Sequence, residues 1–155
     1  MAGRWPANRA GPRTSRLERG VGRAVHGWLN RAFVSQRYPT RRFAGSFDTF
    51  TPGARKAARD QRRLTTNAML GPKIVDAVPV RRQLTVSAFA PSGRAIGATA
   101  SADLQLRTVR MSGRRSQLRV TGELSLTRVG GRWRVFGYDL QRSLRRIGGK
   151  SKGDR

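Results

Sequence analysis

Apolar residues recur along this chain with two periods, near four up to about residue 70 and two from Val80 onward. Leu17, Val21, Val25, Trp28, Leu29, Ala32 and Phe33 share one half of a helical wheel, and Arg16, Arg19, Arg23, His26, Arg31 and Arg37 share the other. With Ser15-x-x-Glu18 as a capping box, the spacing predicts a basic amphipathic helix over about 16–37, ended by Tyr38-Pro39. Gly20, Gly22 and Gly27 each cost such a helix about 1 kcal/mol against Ala, so tertiary packing must hold it. Thr51 as N-cap and Pro52 at the first helical position predict a second helix, with Ala54, Ala57, Ala58, Leu64 and Ala68 toward one side and Gly71-Pro72 as its stop. Between the two, Phe43, Phe47 and Phe50 are spaced by four and three, which predicts a helical turn docked on the core.

From Val80 the period is that of strands. Leu84, Val86, Ala88 and Ala90 alternate with their neighbours until Pro91-Ser92-Gly93 turns the chain. Ile96, Ala98, Ala100, Ala102, Leu104 and Leu106 point one way in a second strand closed by Met111-Ser112-Gly113, and Leu118, Val120, Leu124 and Leu126 repeat the pattern in a third. Gly130-Gly131 is a two-residue hairpin signal before Trp133, Val135, Phe136, Tyr138 and Leu140. A two-residue turn there sets Leu126 opposite Val135, Leu124 opposite Gly137, Ser125 opposite Phe136 and Glu123 opposite Tyr138. Gly97, Gly122 and Gly137 fall inside strands and predict bulges or bends. The expected fold is therefore α+β, two N-terminal helices packed on a curved four-stranded antiparallel meander. Its core should contain Leu17, Val21, Trp28, Leu84, Leu104, Leu106, Val120, Leu124, Leu126 and Val135.

Length and charge then narrow the function classes. The 155 residues suit one domain, over 14–147, with a basic arm at 1–13 and a basic tail at 148–155 that both read as disordered. Thirty-three Lys and Arg against eight Asp and Glu leave +25, and 29 of those cations are Arg. A nucleic acid, an anionic membrane surface or an acidic protein would each suit the excess, as would the codon bias of a GC-rich genome with no function attached. With no Cys and one His the chain has no disulfide, no Cys-based metal site, no thiol nucleophile and no multi-histidine site, and no cofactor is expected. The apolar segments are too broken by Arg and Asn for a signal core or a spanning helix, so the expected location is cytoplasmic, at most peripheral to a membrane.

Helices first, then long antiparallel strands and a last strand reading Gly131-Arg132-Trp133-Arg134-Val135-Phe136-Gly137-Tyr138-Asp139-Leu140, resemble the cone-shaped NTF2-like (cystatin-like) superfamily. The stretch Phe43-Ala44-Gly45-Ser46-Phe47-Asp48-Thr49-Phe50-Thr51-Pro52-Gly53 is similar to actinobacterial members of the Mce-associated type, although the N-terminal membrane anchor usual in those proteins does not show here. The resemblance spans about residues 16–140. It implies an accessory or scaffold module that binds a protein partner or a small apolar ligand in its cone, with isomerases and dehydratases as the enzymatic members of the superfamily. The uncovered side of the sheet also suits a homodimer.

For an enzyme of that kind the candidates are Glu123 as base, Tyr138 as hydrogen-bond donor and Asp103 as second carboxylate. The competing expectation is that Glu123 and Asp103 simply pair with Arg107, Arg119 or Arg134 on a solvated sheet face. His26 falls among the arginines of its helix and reads as a surface residue, while Trp28 and Trp133 read as core anchors. For anion or nucleic-acid binding the candidates are Arg13, Arg16, Arg19 and Arg23 near one end and Arg142, Arg145, Arg146, Lys150 and Lys152 near the other, although no known nucleic-acid motif accompanies them.

Overall fold

The computed structural model describes residues 12–89 and 96–147. The disordered arm expected at 1–13 falls mostly outside them, as do the tail from 148, with Lys150 and Lys152, and the turn at Pro91-Ser92-Gly93. Helix α1 (Pro12–Leu29) runs directly into a wider π-helical turn, Asn30–Val34, that closes with Ser35 N–H donating to the Asn30 carbonyl at 2.7 Å. It begins three residues before Ser15, so Ser15 lies inside the helix and does not cap it. The apolar half of the wheel is buried from Leu17 to Phe33, and Arg16, Arg19, Arg23, Arg31 and Arg37 are exposed. Segment 43–50 turns as the phenylalanine spacing predicts, with Phe47 and Phe50 buried.

Helix α2 (Pro52–Asp60) starts at Thr51, whose hydroxyl accepts from Ala54 N–H at 3.4 Å. It stops eleven residues before Gly71, because the chain leaves helical geometry at Gln61 before a single further turn, α3 (Arg62–Thr65). Ala54 and Ala58 are buried while Ala57 is exposed. Behind α3 the segment Thr65-Thr66-Asn67 is buried, although all three side chains are polar.

Strands β1 (Ile74–Phe89), β2 (Gly97–Arg110), β3 (Arg115–Val129) and β4 (Arg132–Ile147) form one antiparallel sheet in the order β1-β2-β3-β4. The fold class read from the sequence is the observed one. β1 begins six residues before the alternating signal at Val80, through two register irregularities beside Ile74 and Pro79, and that half leaves Val75, Val78 and Val80 exposed. A proline is tolerated there because β1 is an edge strand. At the hairpin, Gly130 and Gly131 take φ of 58° and 79°, the left-handed pair that a type I′ turn demands, and Val129 pairs with Arg132.

α1 lies across one side of the sheet and makes it the inner side. Ala98, Ala100, Ala102, Leu104 and Leu106 of β2 and Leu118, Val120, Leu124 and Leu126 of β3 are buried beneath it. Of the expected core Leu84 is only partly buried, and Ile96, expected to share the apolar face of the second strand, is half exposed just before β2. Trp28, Phe33 and Phe50 fill the centre, with Trp28 and Phe33 edge to face at 5.8 Å. The Trp28 indole N–H donates to the Thr65 carbonyl at 2.9 Å, so the helix and the buried Thr-Thr-Asn segment hold each other in place.

Candidate functional site

The hairpin register decides the fate of the carboxylate–tyrosine set. Leu126 faces Val135 as the two-residue turn requires, but the next pair is Ser125 with Gly137, which leaves Phe136 as the extra, exposed residue of a β-bulge. From there Leu124 faces Tyr138, not Gly137, and Glu123 faces Asp139, not Tyr138. A one-residue shift exchanges faces, so Tyr138 and Leu140 turn to the inner side and Asp139 to the outer. Tyr138 packs 6.3 Å from Phe50 and donates its hydroxyl proton to Gln61 Oε1. Burial, with the charge of Asp60, raises its phenol above the ordinary range.

Glu123 stands exposed on the opposite side. Asp103, also on the outer side, accepts from Arg81 Nε at 3.0 Å and from Arg119 Nε and Nη2 at 3.1 and 3.0 Å. The Arg119 hydrogen bonds, with the charges of both arginines, hold its carboxyl below the usual range. Arg119 is one of the partners expected, Arg81 is not, and Arg107 and Arg134 make no ion pair with it. Glu123, Tyr138 and Asp103 therefore do not converge.

The basic residues divide just as sharply. Arg16, Arg19 and Arg23 form an exposed row on α1, and Arg13 lies in its first turn. Arg145 and Arg146 are exposed on β4. Arg142 departs from that group. Its inner-side guanidinium donates to the Thr66 carbonyl at 3.2 Å and to Asn67 Oδ1 at 3.4 Å. Asn67 in turn donates to the Tyr38 hydroxyl at 3.2 Å, and Tyr38 donates to the Phe33 carbonyl. Burial lowers the Arg142 pKa and raises that of Tyr38. The chain Arg142–Asn67–Tyr38 is a structural polar network, closed by backbone acceptors at both ends.

His26 is half-buried, not a free surface residue. From β1, Arg82 donates through Nε to His26 Nδ1 at 3.1 Å and through Nη2 to the His26 carbonyl at 3.3 Å. Burial first, and the Arg82 charge second, hold the imidazole below its ordinary pKa.

A cleft of about 360 Å³ opens between the 41–48 segment and the α2–α3 unit, and Arg41, Arg55, Arg59 and Arg62 line it. Arg55 and Arg59 lie one turn apart on α2, and Arg62 follows at the start of α3, at i, i+4 and i+7 in the sequence. Arg55 is fixed, with Nε donating to the Phe47 carbonyl at 3.2 Å and Nη2 to the Phe50 carbonyl at 3.3 Å. Arg41, Arg59 and Arg62 are exposed at the rim. Among the described residues their guanidinium groups make no hydrogen bond or ion pair, and Asp48, the one acid in the lining, bridges none of them. Like charges one helical turn apart, as Arg55 and Arg59 are, destabilise a helix by about 0.2–0.5 kcal/mol per pair. The sequence carries a signal for three of the four in that spacing, one that attention to the apolar positions of the helix passes over. Arg41 gives no such signal.

No helix of the described residues is long and apolar enough to cross a membrane, and no group of His, Asp and Glu among them is arranged to hold a metal ion. Comparison with family models, with curated proteins and with solved structures returns no match for this chain.

Proposed function

We propose that the chain is a non-catalytic accessory module that docks an acidic protein partner on its arginine-bearing exterior. The observation that carries this reading is the filled inner side of the sheet. Trp28, Phe33, Phe50, Leu104 and Leu124 are all 1% exposed or less there, so a small apolar ligand would have to displace them. Recognition then falls to the outside, where Arg16, Arg19 and Arg23 stand exposed along α1. The NTF2-like resemblance, and within it the Mce-associated type, supports the same reading, because that superfamily includes transport adaptors and secretion-system scaffolds. Tyr138 lies on the inner side and Glu123 and Asp103 on the outer, an arrangement that favours a binding role over isomerase chemistry through these three residues.

The same arginine row favours a second reading, binding of nucleic acid through the basic segments. Photo-crosslinking in the cell from position 19, followed by titration of the purified partner, separates the two. A defined acidic protein should bind at about 0.15 M salt and lose affinity about tenfold or more in R16Q/R19Q/R23Q, a change that leaves Leu17, Val21 and Val25 to pack. Sequence-selective binding of DNA or RNA that survives that salt would replace this function with the second. An acidic partner whose affinity ignores the triple change would move the docking surface elsewhere.

A further inference from the structure

We infer that the cleft lined by Arg41, Arg55, Arg59 and Arg62 binds the phosphate monoester dianion of a small molecule. This site lies off the α1 row and does not depend on a protein partner docking there. Three observations lead to it. Some arginines of the fold are committed to protein acceptors: Arg81 and Arg119 hold Asp103, Arg82 holds His26, and Arg142 holds Thr66 and Asn67. In the cleft Arg41, Arg59 and Arg62 hold none among the described residues, although Asp48 lines the same wall. Four guanidinium groups against one carboxylate leave an excess of three positive charges, which suits a dianion better than a single carboxylate.

The second observation is preorganisation. Arg55 is anchored by the Phe47 and Phe50 carbonyls through Nε and Nη2, so its position is set before any ligand arrives and Nη1 remains available. Arginine presents paired N–H donors at the spacing of phosphate oxygens, and a fixed guanidinium loses less freedom on binding than a mobile one. The third is size. About 360 Å³ matches a small molecule, and Phe43 and Phe47 supply an apolar wall for the organic part that carries the phosphate.

Calorimetric titration of the full chain at about 0.15 M NaCl and about pH 7.5, with inorganic phosphate and with a nucleoside monophosphate, tests the inference. Both should bind. Equal affinities identify free phosphate as sufficient, and a nucleoside monophosphate tighter by about tenfold shows that the apolar wall is used. R59Q/R62Q removes two uncommitted exposed groups and should weaken phosphate about tenfold or more. R114Q/R132Q removes the same charge from two exposed positions outside the cleft and should change affinity less than about twofold. Affinity for the monophosphate should also fall as the pH drops through its second pKa of about 6. Equal weakening by the two double variants would reduce the effect to net charge and overturn the site, as would the absence of phosphate binding at millimolar concentration. Either failure leaves the partner titration on α1 untouched, because the two tests share no residue.

Discussion

Arg119 and Arg142 occupy adjacent register positions of β3 and β4, since Val120 pairs with Arg142 and Arg119 with Ser143, yet they lie on opposite faces of the sheet. Arg119, half exposed on the outer face, shares Asp103 with Arg81. Arg142 reaches inward and closes the buried ends of Thr66 and Asn67. Both carry the same charge in the same kind of strand, so the difference comes from the acceptors each face offers. A pair whose guanidinium is half in water is weak because water replaces it and Arg81 still holds Asp103, whereas a part-buried guanidinium facing carbonyl oxygens satisfies groups that have no other donor.

The largest effect should come from disturbing the pairing that sets the two faces. Gly122 sits opposite Leu140 with φ of 152°, and an added Cβ would lie 2.1 Å from the Asp139 carbonyl oxygen. G122A should therefore destabilise the fold by about 3 kcal/mol or more, read as a lower urea midpoint. An unchanged midpoint would mean that β4 can shift away from β3 at no cost. Changing the arginines themselves is the next step down. R142Q should lose about 2 kcal/mol because the Thr66 carbonyl and Asn67 Oδ1 lose their charged donor. R119Q should leave the midpoint within scatter, and equal losses from both would erase the distinction between the faces.

The smallest effect sharpens the comparison at a third arginine, Arg82, which meets His26 on the inner side with Glu18, Arg19 and Arg23 around the same opening. The folded pKa of His26 lies below the unfolded value near 6.5, so as the pH falls the unfolded chain takes up the proton first. Stability should decline as the pH passes down through that range and level off below the folded pKa, once both states are protonated. H26Q should remove this part of the pH dependence in urea midpoints collected between about pH 8 and 5. A wild-type profile that rises on acidification would reverse the sign and place a carboxylate, not Arg82, in control of the ring.

Much of the architecture was legible in the residue pattern. The apolar half of α1, the Thr51-Pro52 start of α2, the four strands and the Gly130-Gly131 turn each depend on neighbours within a few positions, where periodicity and turn chemistry act directly. The misreadings cluster where a local rule met a distant partner. Ser15 resembles a cap, but α1 continues past it toward Pro12. The two-residue turn predicts the hairpin correctly through Leu126 and Val135 and fails beyond, because Phe136 is left out of the ladder. There the Val135 backbone also pairs with the 49–51 segment, accepting from Thr51 N–H at 2.8 Å and donating to the Thr49 carbonyl at 2.9 Å.

The candidate sites were less legible for the same reason. Arg142 belongs by sequence with Arg145 and Arg146, and only the Thr66 and Asn67 acceptors, 76 and 75 residues away, separate it from them. The sequence by itself determined the α+β class, the identity of most core positions and a net charge of +25, since these follow from composition and from side-chain periods of 3.6 and 2. Tertiary structure decided which arginines are committed and which are free. A guanidinium adopts the acceptor that the fold brings within about 3 Å, and neither the bulge at Phe136 nor the meeting of Arg41 with α2 is encoded in any run of adjacent residues.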